Sequence, residues 1–306
     1  MTYLELRKRI AEMLGLDQTQ TSTDDILKEW VNDSYRFIAS VEDWPWLIKN
    51  DIIQTATEID TGTVSVTNDS TAITFSSAPA VSVQDDYRIQ FDDSDDWYDI
   101  TSHIAAATSA TLSDVFLGDT NAAQVYNLRK VYYDLPADFD RMTSVRQSRT
   151  DVKLDPISFR FKDKILPDPT AVNEPTFYSI IGLDTQDPAN TPRHRIVFFP
   201  TPSVEMNIDV RFYHRVTGLS ADTDSPIFGV QWHSLIIFDV LSRYGYTFLD
   251  DERRNEVKSA YNEILEMMRK KRNHTPDKLL KKLQWDKAIN LVRLNRLRVD
   301  LPIVDS

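Results

Sequence analysis

Apolar positions in the first forty residues recur at helical spacing. Tyr3, Leu6, Ile10 and Met13 lie three or four apart, which puts them on one face of a helix. Thr2-Tyr3-Leu4-Glu5 has the Thr-x-x-Glu spacing of a capping box, and Gly15 supplies a stop, so a helix is predicted over residues 3–14. A second is predicted after Ser22-Thr23-Asp24-Asp25, whose hydroxyls can cap and whose carboxylates suit the positive end of the helix dipole. Its inward stripe is Leu27, Trp30, Val31, Ser34, Ile38 and Val41, and Trp44-Pro45-Trp46 ends it.

From about residue 50 the pattern changes to short alternating runs of Val, Ile, Thr and Tyr separated by Asp, Asn, Ser and Pro, the signature of strands. Residues 63–67 and 71–75 read as a hairpin across Asn68-Asp69-Ser70, because Asn and Asp tolerate the positive φ of a tight turn. Tyr87 to Phe91 and Trp97 to Ile100 read as a second hairpin, with 92–96 as its acidic tip. Residues 110–112 and 125–129 continue the sheet toward Tyr132-Tyr133. Prolines then punctuate the chain up to Pro202, leaving Arg195 to Phe199 and Asn207 to Tyr213 as the clearest strands. Helical pattern returns at Ser225-Pro226, where Ser can cap and Pro suits the first helical position. The stretch 230–249 is apolar almost all round, and Val257, Tyr261, Ile264, Leu265 and Met268 form a stripe after Asp250-Asp251. Residues 226–272 are therefore expected to form a helical hairpin.

Charge separates the end of the chain from the rest. The net charge of the 306 residues is −12, yet residues 1–268 hold 24 Lys+Arg against 43 Asp+Glu and residues 269–306 hold 11 against 4. A basic segment on an acidic body points to docking on something acidic, whether nucleic acid, membrane or protein. No run of about 18 apolar residues occurs and the first residues are charged throughout, so neither secretion nor membrane insertion is expected. With no cysteine there is no disulfide and no thiolate metal site, which suits assembly in a reducing cytosol and survival outside it.

Candidate chemistry is sparse. His103, His194, His214, His233 and His274 are scattered, without a His-Glu-x-x-His motif, and read as structural or surface residues. Neither phosphate-cradling glycine motif nor Gly-x-Ser-x-Gly occurs among the seven glycines. No catalytic residue, metal ligand or cofactor is assigned. Asp92-Asp93-Ser94-Asp95-Asp96 reads as a solvated tip in preference to a cation site. Trp44 and Trp46 read as core or subunit interface in preference to a stacking platform. In the basic segment, Arg269-Lys270-Lys271-Arg272, Lys281-Lys282, Arg293, Arg296 and Arg298 interleave with Leu279, Leu283, Trp285, Ile289, Leu291, Leu294, Leu297 and Val299. A purely electrostatic arm does not need those apolar anchors. Docking in a protein groove is favoured over contact with DNA or a solvated tail.

Several of these segments together resemble the β-rich part of bacteriophage head-to-tail adaptor proteins. Residues 62–74 resemble their opening hairpin and Asp96-Trp97-Tyr98-Asp99-Ile100 their Trp-Tyr-acid-Ile strand. Asn121 to Tyr126 and Tyr133-Asp134-Leu135-Pro136-Ala137-Asp138-Phe139 are similar to the close of that module. Arg195 to Pro202 is similar to a strand ending in Pro-x-Pro, followed by a helical hairpin with Trp232 near its start. The likeness of pattern and order runs over about residues 1–270. Residues 76–86 depart from it, holding Pro and Asp where glycine-rich turns belong, and so does the acidic tip 92–96. The resemblance implies a portal-bound ring, commonly of twelve subunits, with helical parts near the portal, β-parts toward the tail and a C-terminal arm reaching into the portal.

The expected fold is α+β: N- and C-terminal helices (1–50 and 225–272) form a helical bundle bracketing a β-rich, barrel- or sandwich-like middle (51–224), with a basic arm (273–306). The expected function is a non-enzymatic virion protein at the head-tail junction, assembled in the host cytoplasm, which joins portal to tail (nozzle) protein as a homo-oligomeric ring. DNA only passes through its channel, and no membrane is involved. Portal docking falls to Trp285, Ile289, Arg293, Leu294, Arg296, Leu297, Arg298 and Val299, and the subunit interface to Trp44 and Trp46. Two alternatives stand beside it: a tail-associated carbohydrate-binding or depolymerising component, and a DNA-binding protein acting through the arm.

Overall fold

The computed structural model describes residues 1–92, 96–158, 160, 173–184, 193–245 and 248–273. The chain divides into two units, one built on Met1–Leu47 and the chain from Val216 onward, the other on Ile48–Arg215.

In the first unit the capping box forms: Thr2 Oγ1 accepts the Glu5 N–H at 3.3 Å and the Glu5 carboxylate accepts the Thr2 N–H at 2.9 Å. Helix α1 spans Tyr3–Leu14 and stops at Gly15, whose φ of 67° favours glycine. Helix α2 is Thr21–Val41 and starts earlier than its Ser and Asp residues suggest. The Gln20 carbonyl accepts the N–H groups of Thr23 and Asp24, so the hydroxyls lie inside the first turn and do not cap it. Helix α3 is Ser234–Tyr244, not a helix from Pro226. Upstream of it, the Ile227 N–H is donated to Tyr35 Oη at 3.1 Å and Phe228 turns inward against Tyr35, Trp46 and His233. Tertiary packing thus takes the backbone that a helix start needs. Helix α4, Asp251–Asn273, buries Leu265 and Met268 on the predicted stripe, and α3 lies against α1, α2 and α4.

The second unit holds two seven-stranded sheets. The first combines β2 (Val64–Val66), β3 (Ala72–Phe75), β4 (Tyr87–Phe91), β5 (Trp97–His103), β6 (Ser109–Leu112), β7 (Asn121–Gln124) and β8 (Tyr126–Lys130) in the order β7-β2-β3-β6-β5-β4-β8. Both hairpins form where their sequences place them, with Val64 opposite Phe75 and Arg88 opposite Asp99, and Asp69 takes the φ of 58° its turn needs. Only Val125 separates β7 at one edge from β8 at the other, so the sheet must curl nearly into a barrel. Tyr126 of β8 accordingly reaches Phe75 of β3 inside, with ring centroids 5.3 Å apart. Fifteen buried residues fill this interior.

The second sheet combines β1 (Ile48–Gln54), β9 (Tyr132–Asp134), β10 (Phe139–Gln147), β11 (Lys153–Pro156), β12 (Phe177–Asp184), β13 (Arg193–Phe199) and β14 (Asn207–His214) in the order β1-β14-β10-β11-β12-β13-β9. It curls less completely around its own core, which includes Phe139, Val145, Phe198, Ile208, Val210 and Phe212. Past β1 the Ala56 N–H reaches Tyr133 Oη, near the opposite edge, at 3.3 Å. The edge strand β1 is guarded: Asp51 accepts the N–H of Ile52 at 2.9 Å, blunting a site where another strand could pair.

The expected architecture is corrected here. Among the described residues the chain is β-rich, with fourteen strands and four helices of 12, 21, 11 and 23 residues, and is not a helical bundle bracketing one β-rich middle. The physical reason is pairing at long range. β1 pairs with β14 and β9 with β13, so the proline-punctuated region builds a whole second sheet with its own core.

Candidate interaction surfaces

Trp44 and Trp46 lie together in the first unit, their rings stacked with centroids 6.0 Å apart. Trp44 is buried and its indole N–H is donated to the Ile38 carbonyl at 2.8 Å, closing the end of α2; Trp46 is half-buried against Phe228. Trp285, Ile289, Arg293, Leu294, Arg296, Leu297, Arg298 and Val299 fall outside the described residues, as does the centre of the acidic tip. None of the five described tryptophans is exposed, so among the described residues tryptophan offers no flat platform for a sugar. His103 is held by the Val83 N–H and the Ala107 carbonyl, and buried His233 by the Phe228 carbonyl. Among the described residues no three His, Asp or Glu converge as metal ligands would.

Where the chain leaves β8 of the first sheet for β9 of the second, only Val131 lies between them, and around it is a network of charge that sequence spacing does not reveal. The Asp86 carbonyl accepts the N–H groups of Val131 and Tyr132 at 2.9 and 3.2 Å. Its carboxylate lies 3.2 Å from Lys130 Nζ and 3.4 Å from an Arg195 nitrogen, and Arg195 also meets Asp134 at 3.4 Å. Arg88 grips Asp99 with two hydrogen bonds of 2.6 and 3.3 Å and donates to Tyr132 Oη at 3.0 Å. Both guanidinium groups lie over the Tyr132 ring, at 5.6 and 5.7 Å from its centroid. The network's chemistry is mechanical: it pins the barrel to the strand that leaves it.

One end of the barrel exposes apolar side chains. Phe116 plugs the interior there, fully buried and 4.9 Å from the Phe91 ring. Its loop is tied to the β2–β3 turn, since Asp69 and Phe116 donate to the carbonyls of Phe116 and Ser70 and the Asn68 amide donates to Gly118. Asp92 donates its N–H to the Val125 carbonyl, which ties the start of the acidic tip to the β7–β8 corner. Leu117, Val125 and Val115 stand 72%, 50% and 38% exposed, and Asp69, Asp92, Asp96, Asp114 and Asp119 in the loops of this sheet are exposed as well. Between Ala56 and Leu128 the chain holds 12 Asp+Glu and a single basic residue, Arg88. The apolar triplet Val115-Phe116-Leu117 set between Asp114 and Gly118 was a legible sign of this end. The groove of about 780 Å³ lined by residues of β1, β14 and β10 already engages both of its arginines, Arg146 on Asp151 and Arg211 on Asn50.

The model of the SU10 adaptor protein family matches residues 78–279, roughly two thirds of the chain, from inside the barrel to beyond α4. The chain belongs to this family. It is a bacteriophage structural protein of adaptor type. The match takes in the joint network, the Phe116 loop and the second sheet except β1, and it stops before Trp285. No curated protein matches the chain. No described helix is long and apolar enough to cross a membrane.

In this SU10 adaptor two carboxylates are displaced in opposite directions. Burial raises the Asp86 carboxyl above its ordinary value, against the pull of Lys130 and Arg195. Asp24 also feels burial, but hydrogen bonds and charge from Lys28 and Arg7 outweigh it and lower its carboxyl. For Asp86 the native state takes up a proton more readily than the unfolded chain, so its contribution grows as pH falls through its folded value. For Asp24 the contribution is complete above the unfolded value and is lost as pH falls through the folded one. On acidification, therefore, wild type gains stability relative to Asp86→Asn and loses it relative to Asp24→Asn. Urea midpoints across the carboxylate range test this, and slopes of the same sign would refute it.

Proposed function

We propose that this adaptor is a head-to-tail connector: a homo-oligomeric ring, of twelve subunits, that binds the portal on one side and the tail protein on the other and leaves a channel for DNA. Membership of the SU10 adaptor family is the observation that carries the reading. The charge division supports it: an acidic body repels phosphate and lets DNA slide without sticking, while the basic, apolar-studded segment suits a protein groove. Each arm contact is weak, and repetition around a ring makes the sum firm. The role is passive and needs neither catalysis nor a cofactor, and it places the protein in the virion at the head-tail junction. Trp285, Ile289, Leu294, Leu297 and Val299 are the proposed anchors in the portal, with Arg293, Arg296 and Arg298 setting register, and half-buried Trp46 is offered to a neighbouring subunit.

Deleting residues 273–306 removes no residue of the two sheet cores and keeps the buried Leu265 and Met268 of α4. The truncated protein is expected to fold with an unchanged urea midpoint and to lose co-assembly with portal particles, read by electron microscopy of the mixture. Undiminished co-assembly would remove the arm's role.

A further inference from the structure

One side of the helical unit holds a guanidinium ready for an anion. Arg243, near the end of α3, donates its Nε–H to the Asp239 carboxylate at 3.0 Å, and its guanidinium lies 3.3 Å from the centroid of the Phe37 ring on α2. Asp239 is buried, so the group is fixed from within the unit and stacked on one face. Its side chain stays 35% exposed, and among the described residues no acceptor meets its terminal nitrogens. Beside it Trp30 and Tyr244 stack with centroids 5.0 Å apart and planes at 6°, and Tyr244 donates to Asp33 at 3.3 Å. Glu29, exposed, follows one turn further along α2. From Phe37 back to Glu29 the face of α2 and α3 thus presents a cation, a flat aromatic pair and two acids.

A small anion would satisfy Arg243 and leave the aromatic pair and the acids unmet, and the phosphates of nucleic acid are repelled by Asp33 and Glu29. The full complement is a helix with an acid, an apolar side chain and a base within about two turns. Helix α4 carries it on its outer side. Glu263, Met267 and Lys270 are exposed there, Met267 at 45%, and among the described residues Glu263 and Lys270 have no ion-pair partner. We propose that α4 of one copy docks antiparallel on the α2–α3 face of the next, with Glu263 on Arg243, Met267 against the Trp30–Tyr244 stack and Lys270 between Asp33 and Glu29. The span from Glu263 to Lys270 is about 10 Å, the same as that from Phe37 back to Trp30, so the register holds, and a thioether suits the aromatic contact. The two faces differ, so the contact is heterologous: each copy offers one face forward and the other back, as a closed ring requires. The inference rests on the ring reading and names a contact between its subunits.

The chain has no cysteine, so thiols can be placed singly or in pairs. Ser40 and Ser259 are exposed about one turn beyond Phe37 and one turn before Glu263, and the register sets them side by side across the contact. Full-length Ser40→Cys with Ser259→Cys is mixed with portal, imaged by electron microscopy and treated with a short bis-maleimide. A ladder of covalent dimers, trimers and larger species is expected, with at most dimers from either single variant. Adding Glu263→Arg, at an exposed position, should cut the ladder about tenfold by setting two cations together. Glu12→Arg, the same charge change on exposed α1 surface, should leave it unchanged. Rings without a ladder would overturn this contact and leave the connector reading standing. A ladder without rings would uphold the contact and count against that reading, and absence of both would overturn both. A ladder indifferent to Glu263→Arg would also overturn the proposal.

Discussion

Arg7→Ala is expected to lower the stability of the helical unit by about 3 kcal/mol, the lower end of what breaking a buried ion pair costs. Arg7 is 2% exposed, and its two terminal nitrogens bind Asp24 of α2 and Asp222 of the segment that returns to α1, while its guanidinium lies 4.7 Å from the Tyr3 ring centroid. That one side chain therefore holds three parts of the unit. Backbone contacts reinforce the joint: Tyr3 and Leu4 donate to the carbonyls of Asp224 and Asp222, and Asn32 bonds both Leu219 and Tyr3. Removing the guanidinium leaves a cavity and an Asp24 carboxylate that is only 23% exposed. Asp222, at 61%, simply returns to water, which keeps the cost from rising further. Arg7→Lys keeps the charge but reaches one carboxylate at a time, so about half the loss is expected. Urea melts of both variants check this, and a wild-type midpoint in Arg7→Ala would show that the pair contributes nothing.

Arg7 also marks the limit of what the sequence alone shows. Where an element is specified by neighbours in the chain, its reading survives: the Thr2–Glu5 capping box, the Gly15 stop, the hairpin over Asp69 and the α4 stripe are all local codes. Where the determinant is distant, the reading fails. Strand β1 is paired with β14 some 160 positions away, and Phe139–Gln147 carries charges on its outer face that hide its strand pattern. Ser225-Pro226 looks like a helix start, but Tyr35 and Trp46, far off in sequence, draw Ile227 and Phe228 into other work. The error in architecture has the same origin, because two sheets are told from one only by knowing which edges meet. For the site, residue types were visible and convergence was not. Trp44 was picked out by its aromatic neighbour, whereas Asp86, Lys130 and Arg195 come together only because β8 runs straight into β9.

Charge is the property that links the units to function without reference to any single contact. Acidic residues outnumber basic ones over residues 1–268 and basic residues predominate beyond Met268, so the two parts of the chain respond oppositely to the phosphates of DNA.

Phe116→Ala is expected to destabilise the barrel by about 3–5 kcal/mol, the range for emptying a fully buried aromatic site. Its ring sits 4.9 Å from Phe91 at 75° and 6.0 Å from Tyr98, so the vacated space opens into the interior and cannot be closed by the loop alone. The neighbouring Gly118 makes the same point from outside. A methyl group there would come 2.5 Å from the far edge of the Phe116 ring, and Gly118→Ala should cost about 1–3 kcal/mol by overpacking. Combined, the two changes should cost less than their sum, because the alanine methyl moves into space the phenyl has left. Urea unfolding of the four proteins in this cycle measures the coupling. Strict additivity would mean that the loop yields freely around Phe116 and that Phe116 does not hold the end of the barrel fixed.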